Sequence, residues 1–463
     1  MPRPRDQRAW TRTVGAAASS LVTVVIVVLA VWLSTGPNGP LLAAIVAGLT
    51  ILVAALVAAG PEGLGLGVLG ACFFMSPYFR AFPIVPGTAI SAVDPMLLAG
   101  IFLLFPRVTR GHAKVSSLYL GSAISVVLIG IAAALASDER GATLLEVSQW
   151  AFLILVVPLA MIALDLSNRE ISWFAIIYIV GQMLSSAVAL VDGPDPVNSR
   201  YQGLAQHPNY FADGAMMSAA LLLYLYHRPG AKTALMRSTW WLVMAICLID
   251  IYVSGCRGAA LGMAAVFVLV PFVERAAVPS FLAAFALALV AAFAQPILQR
   301  SSDTSALGRL TGSGTGQATS NFRLSEWSDA VTRVTHSPFL GSGLSLDVLG
   351  FHNNYLEVAA GIGLFGFAAY LVLLWSLTRG LFGPSVERRL VYPMVAFAVF
   401  GLTEPGFKDR SNWLPMLLSI AVFHGFSTAA RHRSSDETTK PGPTDRARPA
   451  DVLGATTRET ALT

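Results

Sequence analysis

His352, Asn353 and Asn354 stand together at the edge of an apolar run, and three arginines occupy comparable positions: Arg200 in "NSRYQGLAQHPNYFADGA", Arg257 in "VSGCRGAALG" and Arg323 in "NFRLSEWSDAVTRV". A guanidinium is a planar fork of donors matched to phosphate oxygens, so two or three of them neutralise a diphosphate without a metal ion. A metal-dependent site would need clustered carboxylates. The candidates are poor: Asp192 and Asp195 in "DGPD" read as turn residues, and Asp138 in "SDER" as a short loop, so no metal and no cofactor is expected. His352 carries the side chain whose ordinary pKa is closest to neutrality and is suited to take a proton from a hydroxyl. Asn353 and Asn354 are placed to orient that hydroxyl or a sugar. The plain alternatives are arginines that snorkel to lipid phosphates and a histidine that caps a helix. What weighs against them is that all four charges fall on the same side of a membrane.

That side follows from the elements that must carry these residues. Of the 463 residues 55% are hydrophobic and 12% charged, about half the charged fraction of a soluble domain, so the chain reads as an integral membrane protein. Apolar runs long enough to cross a bilayer recur near 18–34, 40–59, 63–77, 116–135, 147–163, 171–191, 211–226, 239–254, 258–273, 279–296, 355–377, 390–402 and 413–428, with a shorter one from Asp94. We read an all-α polytopic protein of 12 to 14 spans, the first run being an anchor and not a removable signal. With the amino terminus inside, 21 of the 31 Lys and Arg fall on inner segments, as the positive-inside rule requires. Both termini are then cytoplasmic, and the net charge of +5 is topological and not a nucleic-acid signal. Arg200, Arg257, Arg323 and His352 all lie outside.

The chain divides into an inner segment 1–17, a helical bundle 18–296, a long outer loop 297–354, closing spans 355–428 and a polar, Pro-rich, disordered inner tail 429–463. The loop is far longer than the others, and loops of that length are commonly functional. Within it Trp327, Ala330, Val331 and Val334 share a face of a short surface helix, with Arg323 placed to stack on Trp327. Two G-x-G-x-x-G stretches, Gly65, Gly67, Gly70 and Gly361, Gly363, Gly366, lie inside apolar runs. Without the strand and acidic residue of a dinucleotide site, they are expected to be helix-packing surfaces. Cys72, Cys247 and Cys256 sit in or beside apolar runs and make no disulfide framework.

"RYQGLAQHPNYFA", "SGCRGA", "NFRLSEWSDAVTRVTHSPFLGSG" and "FHNNYLEVAAGIGLFG" together, in order and spacing, resemble the signature segments of the O-antigen ligase and O-antigen polymerase superfamily of membrane glycosyltransferases. The ligase pattern, H-N, nine residues, then G-x-x-G, is met by His352, Asn353, Gly363 and Gly366. The resemblance covers the second half of the chain. It implies a GT-C-like enzyme that transfers a glycan from a polyprenyl diphosphate, such as undecaprenyl diphosphate, to an acceptor hydroxyl on carbohydrate, lipid or protein. It implies cell-surface polysaccharide assembly at the outer face of a bacterial cytoplasmic membrane. By position, Arg200 and Arg257 would bind the diphosphate, His352 would be the base, and Arg323 would brace the loop or add to the phosphate site. His207 and Asn209 also match, although Pro208 and Asn209 suit a helix entry. Cys256 departs from the family's Ser-x-Ser-Arg-Gly, removing a strong hydrogen-bond donor beside Arg257. The rival class is a transporter or flippase of lipid-linked glycan, against which the ionisable residues gather on one face.

Overall fold

The computed structural model describes residues 59–84, 90–110, 114–228, 233–274, 315–344, 348, 350–383 and 386–426. The expected spans at 18–34 and 279–296, most of the one at 40–59, and both terminal segments lie outside the described residues.

The described chain is helical. In order it forms α1 (Ala59–Ala81), α2 (Val93–Leu103), α3 (Phe105–Arg110), α4 (Ser117–Ala136), α5 (Arg140–Ala163), α6 (Asn168–Asp192), α7 (Pro208–His227), α8 (Ala234–Ser254), α9 (Arg257–Val273), α10 (Thr315–His336), α11 (Asn354–Thr378), α12 (Tyr392–Phe400) and α13 (Arg410–Phe423). Two residues of extended chain on each side, β1 (Lys114–Val115) and β2 (Gly425–Phe426), pair antiparallel. Among the described residues six helices, α1, α4, α5, α6, α8 and α11 with its continuation to Phe382, are long and apolar enough to cross a membrane. The protein is an all-α polytopic membrane protein.

Two helices form the interior. Every side chain of α7 from Phe211 to Leu225 is buried, and so is every one of α13 from Arg410 to Ile420. A helix that is apolar all round belongs in a core, and α7 packs on α6, α8, α9, α12 and α13. The outer helices instead leave an apolar face open: Leu128, Leu135, Val180, Trp241, Phe272 and Trp375 are exposed, as a lipid-facing surface would be. The closing spans come out shorter than expected. Nine residues in α12 and fourteen in α13 fall below the roughly 20 that a lipid-facing helix needs. Because α13 is enclosed by protein, it is not bound by that length.

Helix ends follow local chemistry. α6 opens on a capping box, Ser167 with Glu170, and stops at Gly193 at φ +73°, a backbone region that favours glycine. α7 begins with Pro208, whose missing N–H is no loss at that position, behind His207 as the capping residue. α8 ends at Gly255 at φ +66°.

The second glycine stretch is not a helix-helix surface. α11 breaks at Ile362 and Gly363, where Gly363 has φ +68°, and the returning strap 338–343 lies against the break. Ser342 and Gly343 donate their N–H groups to the carbonyls of Ala360 and Gly361 at 2.8 and 2.9 Å, and Leu364 donates to Pro338 at 2.8 Å. Groups freed by the broken turn are thus satisfied by the loop's own backbone, as they must be away from water. The first glycine stretch is nearer expectation: Gly65 closes on Leu104 and Gly70 on Trp173, whereas Gly67 faces open space.

Loops sort into two sets by their contacts. At one end Arg107 meets Glu170 at 2.7 Å and Glu62 at 3.4 Å, Arg379 meets Ser116 at 2.6 Å, and Arg388 and Arg389 converge on Glu274. These are the segments read as inner. The segments read as outer meet at the other end, where the candidate site lies.

Candidate active site

The site is built around the loop 401–409, "GLTEPGFKD", between α12 and α13. Asn354 sets that loop: it is fully buried, its N–H donates to Gly401 at 2.8 Å, and its side-chain oxygen accepts from Gly406 and Phe407 at 2.9 and 3.3 Å. Asn353 caps α11 by accepting from Tyr355 and Leu356, while its amide donates to Leu402 at 2.9 Å. Both asparagine side-chain oxygens are therefore committed to backbone, while the Asn354 amide nitrogen is buried without a partner.

Glu404 projects from this loop and is 5% exposed. One carboxylate oxygen accepts from Arg323 at 2.6 Å; the other accepts from the Asn209 amide at 2.8 Å. Asn209 in turn accepts from Arg200 at 2.6 Å, and the Arg200 Nε donates to the carbonyl of Ser254. A continuous chain, Arg200, Asn209, Glu404, Arg323, thus ties α7 to the loop and to α10. Arg323 turns to Glu404 instead of stacking on Trp327, whose indole N–H donates to Phe351 at 3.2 Å. α10 is also longer than a short surface helix, 22 residues, and of its expected apolar face Ala330 is buried while Val331 is 53% exposed.

Arg257 opens α9, half-buried. Its neighbour Gly258 lies so close to the same loop that a β-carbon there would stand 2.4 Å from Thr403 Oγ1 and 3.2 Å from Glu404 Cγ. Ser254 is a junction, taking Arg200 on its carbonyl and the Cys256 N–H on its hydroxyl at 3.2 Å. Cys256 is buried, which together with the charge of Glu404 pushes its thiol up to about 12; it stays a neutral packing group.

His352 lies at φ +50°, one residue before the cap of α11. Its Nδ1 faces two acceptors, Glu326 Oε2 at 3.1 Å and the Gly350 carbonyl at 2.8 Å. Two acceptors on one nitrogen require the hydrogen to be there, which leaves the lone pair of a neutral ring on Nε2. Glu326 sits three residues after Arg323, on the adjacent turn of α10. One helix thus carries a partner for Glu404 and a partner for His352.

His207 accepts the Asn209 N–H at 3.2 Å through Nδ1. Burial first, then the charge of Arg200, lowers its pKa from the ordinary value, with Glu404 acting in the opposite sense. All seven residues singled out by sequence, Arg200, His207, Asn209, Arg257, Arg323, His352 and Asn353, surround the 401–409 loop or the helix ends packed on it.

Several members escaped the sequence reading. Arg80 donates to Asp409 at 3.0 Å and lies 3.8 Å over the Tyr210 ring. Lys408 meets Glu146 at 2.8 Å, and Arg410 meets Asp94 at 2.7 Å. The run Lys408-Asp409-Arg410 between two apolar stretches was the available signal. Asp195 does serve as the turn residue it was read to be, accepting from Val197 and Asn198.

No curated protein matches the chain. Residues 242–371 match the family model described as O-antigen ligase, a stretch that runs from within α8 into α11 and holds Arg257, Arg323, Glu326, His352 and Asn353. Over that stretch the chain is similar to the O-antigen ligase family.

Proposed function

We propose that this chain is a membrane glycosyltransferase of O-antigen ligase or polymerase type, moving a glycan from a polyprenyl diphosphate to an acceptor hydroxyl. The face carrying the 401–409 loop is extracytoplasmic, and the membrane is the bacterial cytoplasmic membrane. The observation that supports this best is the placement of His352 on Glu326, one turn of α10 from Arg323, whose partner Glu404 leads through Asn209 to Arg200.

As the anomeric carbon loses its diphosphate, negative charge grows on the leaving oxygens. Fixed cations aimed there lower the barrier; Arg200 and Arg257 take that part. Arg323, held by Glu404, braces α10 over the site. The acceptor hydroxyl gives its proton to His352 Nε2 while Glu326 fixes the ring through Nδ1, and attack on the face opposite the diphosphate inverts the anomeric configuration. No metal ion enters the scheme. The gathering of these groups at one end of the bundle favours transfer over transport, which would leave the glycosidic bond intact.

Purified protein incubated with lipid-linked glycan and candidate acceptors is expected to form product. Arg257→Ala and His352→Ala should each lower turnover by about 10²–10⁴-fold, the range of a lost acid–base group, and Glu326→Gln should lower kcat with little change in donor KM. Normal rates in Arg257→Ala or His352→Ala would remove the mechanism.

A further inference from the structure

The outer third of α5 carries a polar stripe that the scheme above does not use. Thr143, Glu146 and Gln149 are spaced by three and share one helix face. All three are buried, as is Glu357 on α11. Thr143 Oγ1, Glu146 Oε2, both polar atoms of Gln149 and Glu357 Oε1 have no hydrogen-bond partner in the protein. Buried polar groups left unmatched are costly, more so at membrane depth, and so many in one place point to a ligand. The remaining oxygen of Glu146 meets Lys408 at 2.8 Å, and this pair is the open rim, with side chains 11% and 21% exposed. Glu357 lies within electrostatic reach of Glu146, Lys408, Asp409 and Glu326, the last being the carboxylate that holds His352.

We propose that this stripe, with Glu357, is a saccharide-binding subsite that receives an uncharged sugar ring through its hydroxyls. The inference rests on the glycan-transfer reading and names where a sugar next to the reacting centre is held. The unmatched set contains more acceptors than donors, but it contains both: three carboxyl or amide oxygens, an amide N–H₂ and a hydroxyl. Alcohol hydroxyls answer such a set, since each donates to a carboxylate and accepts from an amide. A phosphate brings acceptors alone, and the carboxylate of a uronate replaces a hydroxyl donor with a group that only accepts and carries the same charge as Glu146. An ammonium group would suit Glu357 and leave the Gln149 amide unmatched.

The test uses the full chain, purified in a detergent without a sugar headgroup, with methyl glucoside and methyl glucuronide as probes in saturation-transfer NMR. The glucoside should receive saturation and the glucuronide should not. Glu357→Leu and Gln149→Leu should each weaken glucoside binding about tenfold or more, and Thr109→Cys, at the opposite end of the bundle, should leave it unchanged. Glu357→Leu should also raise the thermal midpoint of the free protein, because an apolar group replaces an unmatched buried carboxyl; a merely structural carboxyl would lower it. Should Glu357→Leu fail to accumulate, Gln149→Leu carries the same comparison. Equal binding in the Leu variants, equal binding of the glucuronide, or no signal from wild type would overturn the subsite. Glycan transfer by a wild type that shows no glucoside signal would sink the subsite alone; glucoside binding without transfer would sink the transferase reading alone.

Discussion

His207 shows how one side chain joins the site to pH. It caps α7 as a neutral ring, accepting at Nδ1; a proton there turns an acceptor into a donor and ends the cap. Arg200 and Arg80 oppose that proton, and Glu404 and Asp409 favour it, but burial and Arg200 lead, so the folded pKa lies below 6.5. The unfolded chain therefore binds the proton first. Stability is full above about pH 6.5 and is lost as pH falls from there through the folded pKa. His207→Asn keeps a capping acceptor and does not titrate. Thermal midpoints in detergent between about pH 7.5 and 5 should fall more for wild type than for His207→Asn, and parallel curves would show that His207 is not responsible. At this scale the sequence is legible wherever a charge borders an apolar run, because its cost is local: Arg200, Arg257 and His352 stand out that way. Glu404, Glu326 and Glu146 do not, because what makes them distinctive is a partner 81, 26 and 262 positions away, and pairing across the fold leaves no spacing to read.

Among the elements, α11 gives the sharpest expectation. A β-carbon on Gly363 would stand 2.2 Å from the Phe339 carbonyl oxygen, and the residue lies at φ +68°. The left-handed conformation alone costs alanine about 1 kcal/mol, and the strap must also move. Gly363→Ala should lower the thermal midpoint by about 1–3 °C in a chain of this length. Gly67→Ala, at a glycine that faces open space, should not, and equal midpoints for the two variants would contradict the strap's role. Hydropathy reveals that α11 is a span, since burial in lipid depends on composition summed over a window. The break escapes it, because glycines that pack and glycines that turn have the same hydropathy. For the same reason α12 and α13 read as full spans: a window average does not tell lipid from a surrounding protein core.

For the whole molecule the division of loops into two ends makes the topology testable. Val197, 92% exposed, is at the end with the site; Thr109, also exposed, is at the end with the Arg107 and Glu170 pair. The three native cysteines are buried and unpaired, so background labelling is low. In intact cells a membrane-impermeant maleimide should mark Val197→Cys at once and Thr109→Cys only after permeabilisation; the reverse order would place the site in the cytosol. The cation count already separates these ends, because it sums over many loops and tolerates a misplaced boundary.

The Glu404 clasp has a consequence for how such proteins can be recombined. Arg200, Asn209 and Arg257 precede residue 274, whereas Arg323, Glu326, His352 and Glu404 follow residue 315, so a chimera joined between those positions takes the His352 and Glu326 pair whole from one parent and Arg200 with Arg257 whole from the other. What it must re-create is a set of contacts across the join, among them Glu404 to Asn209, Asp409 to Arg80, Lys408 to Glu146 and Arg410 to Asp94. Incompatibility between parents is therefore expected at these four pairs, and taking both members of each from one parent should restore a mismatched hybrid.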